Sequence, residues 1–241
     1  MNTLTLLLAA TTALAAPAAK RASALQFFGV NEAGPEFGES NFPGIPDKDY
    51  VWPDLSTIDT FIASGMNTFR INTLMERMIP DTLTGSFDAA YMGNLSEQVD
   101  YITGKGAYAM ITPHNYGRYY GEVITDVEGF GAFWAKVAEE YAGNEKVVFD
   151  TNNEFHDMSS SLVAELNQAA IDAIRGAGAS SQWIHVEGNA WTGAWTWTTT
   201  TGTDGKTNAE TMGALTDPED KLVYQVHLPV PIPSSPPRPP Y

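Results

Sequence analysis

Apolar runs rich in β-favouring residues alternate along the chain with segments whose apolar residues recur at helical spacing. The runs predict six strands, which cover residues 25–31, 67–72, 107–114, 147–152, 182–188 and 221–227. The intervening segments predict helices over residues 54–64, 89–104, 129–142 and 159–176, with a weaker helix over 208–215. In the helix over 159–176, Ser160 is the expected N-cap, and Gly176 and Gly178 end the helix.

The alternation of strand and helix predicts a parallel sheet with helices packed outside it. The strands are nearly continuous apolar runs, as expected for strands that are buried on both faces. A dinucleotide-binding sheet would have G-x-G-x-x-G spacing at its first strand-to-helix turn, whereas residues 29–34 read Gly-Val-Asn-Glu-Ala-Gly. The pattern therefore favours an α/β fold of the TIM (β/α)₈ barrel type, with about six of the eight βα units present.

A polar side chain of a type used in catalysis lies at the carboxyl end of each predicted strand. In chain order these residues are Asn31, Arg70, His114, Asn153 with Glu154, Glu187 or Asn189, and His227. Any one of them alone would also fit a structural polar residue at the end of a strand. Six such residues, one at the end of each predicted strand, favour one shared active site, because barrels build their active sites from these strand ends.

Composition narrows the classes of partner and chemistry. The formal net charge is −16 and the pI is about 4.4, which argues against nucleic acid and membrane surfaces as partners and suits an uncharged substrate. The chain has no cysteine, so disulfides, thiolate catalysis and cysteine-ligated zinc are excluded. Its histidines and Asp157 lack a ligand spacing such as H-E-x-x-H, and no metal or cofactor is expected.

The two ends of the chain are expected to lie outside the barrel domain, which is predicted over residues 22–228. Residues 1–21 read as a signal peptide and a short pro-segment, with an apolar core and a dibasic pair at Lys20-Arg21. Secretion is therefore expected, and Asn94-Leu95-Ser96 would then be a glycan acceptor. The proline-rich residues 229–241 are expected to be extended or disordered. They fit a foreign ending better than a segment recognised by a peptide-binding domain.

Residues 148–154 run from a buried strand into the carboxylate of Glu154. A glycosidase needs such an acid beside the glycosidic bond to protonate the leaving oxygen. Asn153 is placed to hydrogen-bond a sugar hydroxyl next to it. This stretch belongs to an ordered set that resembles fungal endoglucanases of glycoside hydrolase family 5. The matching stretches are Phe28–Glu32, Thr68–Ile71, Pro113–Arg118, Asn153–Asp157, Gly188–Trp197 and Val223–His227.

The resemblance implies a secreted enzyme that hydrolyses internal β-1,4-glucosidic bonds of cellulose or a related β-glucan with retention; mannan and mixed-linkage glucan remain open as substrates. It implies that Glu154 is the general acid/base, that Asn153 bonds the sugar 2-hydroxyl, and that Arg70 holds the nucleophile ionised. His114 and His227 would line the cleaved subsite. The expected substrate-binding residues are Asn31, Trp191, Trp195 and Trp197.

The chain departs from the family pattern at two places. Phe155 stands where the family usually has proline after the catalytic glutamate. After His227 the pattern continues with a tyrosine, a strand bearing the nucleophilic glutamate and a final strand with a tryptophan, whereas this chain reads Leu228-Pro229. The other strand-end carboxylates, Glu32 and Glu187, do not resemble the nucleophile.

The expected nucleophile is therefore absent from the chain. An inactive truncated homologue or a glucan-binding fragment is the alternative function. With six strands the barrel would stay open, so self-association through its open edges is also expected.

Overall fold

The structure is a computed structural model that describes residues 25–228. The expected signal and pro-segment and the proline-rich tail lie outside these residues. Strands and helices alternate as the sequence predicts. The elements are β1 (Gly29–Glu32), α1 (Ser56–Ala63), β2 (Thr68–Thr73), α2 (Met75–Met78), α3 (Ala89–Gly104), β3 (Tyr108–Pro113), β4 (Arg118–Tyr119), β5 (Glu122–Val123), α4 (Val127–Tyr141), β6 (Val147–Asp150), α5 (Ser160–Gly176), β7 (Trp183–Glu187), α6 (Asn208–Thr211), a 3₁₀ turn (Met212–Ala214) and β8 (Leu222–Gln225).

Six strands form one parallel sheet in the order β1-β2-β3-β6-β7-β8. Neighbours in the sheet are thus consecutive in the chain, apart from the short antiparallel pair β4–β5 in the loop after β3. This arrangement is that of a partial (β/α) barrel and confirms the predicted fold. The pair β4–β5 and the four-residue helix α2 were not predicted, because elements this short show no hydrophobic period.

The helix boundaries agree closely with the prediction, with one correction at α5. Ser159, not Ser160, is the N-cap: its backbone is extended and its hydroxyl accepts a hydrogen bond from the Leu162 amide at 3.2 Å. Ser160 is the first helical residue, and its buried hydroxyl accepts a weaker bond from Asn189 at 3.3 Å. The helix ends before Gly178, whose φ of +88° permits the reversal of the chain.

The hydrophobic core lies between the sheet and the helices. α4 and α5 pack closely against each other and present buried apolar faces to the strands, among them Phe130, Trp134, Val137, Leu166 and Ile171. The Trp134 indole N–H donates to the Thr151 carbonyl at 3.1 Å, which satisfies its one polar group inside the core. These helices therefore fix the position of β6 and of the segment that follows it.

The inner strands β2, β3, β6 and β7 are almost entirely buried, whereas β1 and β8 are partly exposed. Within residues 25–228, β1 pairs with β2 alone and β8 with β7 alone, so the sheet has two open edges. Exposed apolar side chains lie beside them, including Phe28, Tyr224, Val226 and Leu228. Over the same residues, no helix combines the length and apolar character needed to cross a membrane.

Candidate active site

A cleft of about 760 Å³ opens at the carboxyl ends of the sheet strands. Every residue predicted from the sequence as catalytic or substrate-binding lines it, except Trp197. The lining residues of this set are Asn31, Arg70, His114, Asn153, Glu154, Trp191, Trp195 and His227. Residues on or after all six sheet strands thus line one cleft, but β7 contributes only Trp191 and Trp195 of its following loop, not Glu187 or Asn189.

Arg70, on β2, is the centre of the polar network beneath the cleft. Its guanidinium donates hydrogen bonds to five side chains and is largely buried. The acceptors are Asp150 (Nε–Oδ2 2.8 Å), Asn153 (Nη2–Oδ1 3.0 Å), Glu187 (Nη2–Oε1 3.1 Å), Asn72 (Nη1–Oδ1 3.2 Å) and Asn31 (Nη1–Oδ1 3.4 Å). Burial lowers the pKa of Arg70, but the carboxylates of Asp150 and Glu187 outweigh that effect and raise it. The guanidinium therefore remains charged.

Asn153 and Glu154 leave β6 through a turn that places both side chains at the cleft. The Asn153 amide donates to the Pro113 carbonyl at 2.9 Å, and Glu154 has a φ of +51°, which is uncommon for a residue other than glycine. The Asn153 side-chain NH₂ is buried and has no partner among the described residues. A buried donor without an acceptor is costly to the stability of the folded chain.

Glu154 and His227 form the exposed reactive pair of the cleft. Oε1 of Glu154 lies 2.6 Å from Nδ1 of His227, and their side chains are 27% and 30% exposed. The His227 amide donates to the Thr192 carbonyl at 3.0 Å, while its carbonyl accepts from the Ala194 amide at 3.1 Å. The loop after β7 thereby fixes the ring opposite Glu154, so that a carboxyl and an imidazole lie within hydrogen-bonding distance at the cleft surface.

Glu187 ends β7 on the floor of the site, where its carboxyl is fully buried. Burial and the neighbouring Asp150 raise the pKa of Glu187 well above its usual range, although Arg70 and the Glu154 amide act in the opposite direction. Of the two residues that the sequence left open at this strand end, the structure brings Glu187 into the network. Asn189 lies in the following loop and donates to the Met158 carbonyl at 2.6 Å.

Glu32 is buried on β1 and does not line the cleft. Burial raises the pKa of Glu32. His114, at the end of β3, does reach the cleft, with its amide bonded to the Thr73 carbonyl at 2.7 Å and its ring edge-on to Tyr116. Burial lowers the pKa of His114, so the ring is neutral over a wider range of pH.

The three tryptophans divide between the cleft and the core. Trp191 and Trp195 line the cleft and are 47% and 56% exposed. Trp197 packs against the hydrophobic core and lines a separate depression together with Met212 and Tyr224. Trp191 is stacked on His156 with ring centroids 4.6 Å apart and an interplanar angle of 9°, which holds its indole in one plane. Two of the predicted stacking residues therefore face the cleft.

Sequence reasoning missed Asp150, His156 and Gln225 as parts of the site. Asp150 and Gln225 are the polar last residues of β6 and β8, where they follow three residues without a charged side chain, and this was the available signal. The departure at Phe155 is accommodated in the core: its ring is buried beneath the loop after β3, where Gly117 has a φ of +73°. A Cβ on Gly117 would lie 2.6 Å from that ring, so glycine is required for this contact.

No cluster of three or more potential metal-ligating side chains occurs within residues 25–228.

The chain is similar to known proteins over most of its length. The family model described as cellulase (glycosyl hydrolase family 5) matches residues 30–231. The chain is 51% identical over 219 residues to the probable endo-beta-1,4-glucanase B of Neosartorya fischeri, covering 91% of this chain and 64% of that protein. It is 51% identical over 227 residues to endo-beta-1,4-glucanase B of Emericella nidulans, covering 94% and 66%.

Among solved structures, XacCel5A in complex with cellopentaose superposes with a TM-score of 0.80 and 33% identity, over 84% of this chain and 65% of that one. The chain thus spans about two thirds of the length of these relatives. The family model covers most of the described residues, including all six sheet strands except the first residue of β1. The chain therefore belongs to the cellulase family of glycoside hydrolases, glycoside hydrolase family 5.

Proposed function

We propose that this chain serves the endo-hydrolysis of β-1,4-glucan, with Glu154 as general acid/base in a retaining mechanism. The observation that carries the proposal is the setting of Glu154. It is the only carboxylate lining the cleft among residues 25–228, and it pairs with His227 at 2.6 Å above the network of Arg70. A carboxyl at the cleft surface can protonate the leaving oxygen and later deprotonate a water molecule.

The substrate proposal rests on the shape and chemistry of the cleft. Trp191 and Trp195 expose flat apolar surfaces that suit the faces of glucose rings, and Asn153, which we propose bonds a sugar hydroxyl, lines the same cleft. Relatives with about half of their residues identical are named endo-beta-1,4-glucanases, and XacCel5A binds cellopentaose. A β-1,4-linked glucan is the uncharged polymer that fits these features.

A retaining mechanism needs a second carboxyl about 5–5.5 Å from the first to attack the sugar. Within residues 25–228, Asp150 and Glu187 are buried beneath Arg70, and their oxygens already accept hydrogen bonds from it. We therefore propose that none of the described residues is the nucleophile. The alternative function follows from the same observation: the chain binds glucan in its cleft without cleaving it.

We also propose that the chain is secreted. A polysaccharide of the proposed kind lies outside the cell that digests it, and the first 21 residues have the pattern of a cleaved leader. Expression in a secreting host, followed by sequencing of the amino terminus of the protein in the medium, tests this. A mature chain that starts near Ala22 is expected, and retention of an intact amino terminus inside the cell would contradict it.

The function is tested by two assays on the purified chain starting at residue 22. The first measures reducing sugar released from a soluble cellulose derivative, and the second measures cellopentaose binding from tryptophan fluorescence. Glu154→Gln is compared with Glu165→Gln, a control on the exposed face of α5. Loss of the acid/base is expected to lower sugar release at least about a hundredfold, while the control leaves it unchanged.

Each outcome separates the two functions. Release that survives Glu154→Gln undiminished would contradict the role of Glu154. Binding without release, in the wild type as in Glu154→Gln, supports the glucan-binding alternative. Neither binding nor release would refute both.

A further inference from the structure

The buried carboxyl of Glu187 contacts several parts of the active site at once. Oε2 accepts a hydrogen bond from the Glu154 backbone amide at 2.7 Å. Oε1 accepts from Arg70 Nη2 at 3.1 Å and from Gln225 Nε2 at 2.5 Å, and it lies 3.7 Å from Nε2 of His227. Since β7 lies between β6 and β8, one side chain reaches the segments that follow both neighbours.

The bond to the Glu154 amide occurs where the backbone is least favourable. The φ of +51° at Glu154 is uncommon for a residue with a Cβ, and such a conformation persists only when its surroundings determine it. A hydrogen bond from this amide to a buried carboxylate favours the conformation strongly. Because the backbone conformation sets the direction of the side chain, the same bond determines where the Glu154 carboxyl meets His227.

We propose that Glu187 is a positioning residue for the acid/base. It fixes the backbone turn of Glu154 and, through Gln225, whose Nε2 also lies 3.2 Å from Nε2 of His227, the orientation of the His227 ring. The name acid/base rests on the proposed function, whereas the positioning itself rests on geometry alone. Glu187 does not touch substrate in this role, because it is fully buried and does not line the cleft.

The charges that face Glu187 come from every element packed around it. They are the guanidinium of Arg70 on β2, the carboxyls of Asp150 on β6 and Glu154 after it, and the imidazole of His227 after β8. Burial and Asp150 keep the pKa of Glu187 well above its usual range. The strength of the bond to the Glu154 amide is therefore expected to change with pH above the range in which exposed glutamates titrate.

The test measures the Glu154 backbone amide by NMR in the full chain. In the wild type we expect a signal shifted far downfield, slow exchange with solvent, and a shift that moves as Glu187 titrates. Glu187→Gln keeps the shape of the side chain but adds an NH₂ group. The carbonyl oxygen of that glutamine can serve the donors Arg70 and Gln225, which leaves the Glu154 amide without an acceptor.

In Glu187→Gln the signal is therefore expected to move upfield, to exchange at least about tenfold faster, and to lose the pH-dependent shift that Glu187 causes in the wild type. Glu165→Gln, on an exposed face of α5, is the matched control and is expected to leave the Glu154 amide unchanged. An unaltered Glu154 amide in a folded Glu187→Gln chain would overturn the proposal.

If Glu187→Gln does not fold, the wild-type signal alone decides. A Glu154 amide that exchanges as fast as those of exposed loops, or that lacks the downfield shift, would refute the bond to Glu187. None of these readouts depends on turnover. Failure of sugar release and of cellopentaose binding would remove the proposed function and leave the positioning of Glu154 to stand or fall on the amide signal.

Discussion

Arg70→Leu is the substitution whose effect the structure predicts most fully. Leucine fills part of the space but removes the guanidinium that bonds to both Asp150 and Glu187. The two carboxyls then remain buried without the charge that compensates them. Removing one partner of a buried ion pair typically costs about 3–5 kcal/mol of unfolding free energy, and we expect a loss in this range at neutral pH.

The loss is expected to depend on pH, and its sign follows from proton binding. Without Arg70, the effect that opposes the raised pKa of Glu187 is gone, so Glu187 keeps its proton to a higher pH in the folded variant than in the folded wild type. The unfolded chains ionise near the ordinary glutamate value of 4.5 in both proteins. Where the folded variant binds more protons than its unfolded form, stability falls as pH rises, by about 1.4 kcal/mol per pH unit for each extra proton.

The assay is urea unfolding followed by tryptophan fluorescence at several values between about pH 5 and about pH 8, a range that lies above the ordinary carboxyl values. Arg175→Leu is the matched control, since Arg175 also forms a buried pair, with Asp217 at 2.7 Å. Burial raises the pKa of Asp217, but hydrogen bonds from Arg175 and from the Lys221 and Glu219 amides outweigh it and lower it.

The pKa of Asp217 is lower in the folded chain than its value of 3.8 in the unfolded chain. Asp217 therefore contributes stability that is fully present above pH 3.8 and is lost only as the pH falls through the folded pKa. The two Lys221 and Glu219 amide bonds remain when Arg175 is removed, so the penalty of Arg175→Leu is expected to stay flat across the assay. The penalty of Arg70→Leu is expected to grow toward high pH. Equal, pH-independent penalties in both variants would refute this account of the buried cluster.

Two further predictions concern the cleft and the sheet edges. Trp191→Ala is expected to weaken cellopentaose binding about fivefold, because about 1 kcal/mol of ring stacking is lost. Trp197→Ala is expected to leave binding unchanged and to lower the unfolding free energy by about 2 kcal/mol, less than the loss of a fully buried ring would cost. Fluorescence titrations and urea melts measure the two effects, and the reverse pattern would show that Trp197 is the sugar-binding residue. Because β1 and β8 each pair on one side only within residues 25–228, concentration-dependent self-association is expected in sedimentation velocity, and a single monomer at every concentration would contradict it.

The fold could be predicted because its signals are local. The inner strands are almost entirely buried and carry apolar residues on both faces, as in β6 (Val147–Asp150), and α3 was placed at its observed bounds by periodicity alone. The cap of α5 was misplaced by one residue because Ser159, Ser160 and Ser161 are chemically alike. Only the extended backbone of Ser159 decides between them, and the sequence does not contain that information.

The site could be predicted in part, for a similar reason. The recurrence of polar residues at the ends of the predicted strands identified Arg70, His114, Glu154 and His227 as residues of the cleft, since the carboxyl ends of parallel strands meet at one edge of the sheet. The positions of residues at strand ends could not show which of the three tryptophans face the cleft, because Trp197 lies in a loop where the side-chain directions follow no period. Residues 190–192 of this loop all have positive φ, which no propensity would have predicted.

The contacts of Arg70 also indicate where the second carboxyl of the proposed retaining mechanism would be stabilised. Its Nε and Nη2 are bonded to Asp150 and Glu187, but Nη1 reaches only the amide oxygens of Asn31 and Asn72, at 3.4 and 3.2 Å. Neutral acceptors at these distances compensate the charge less than a carboxylate would. Nη1 is therefore where an added carboxylate would gain most from Arg70. In the mechanism that we propose, Glu154 beside His227 protonates the leaving oxygen, and the carboxylate that attacks the sugar would be stabilised best beside Nη1.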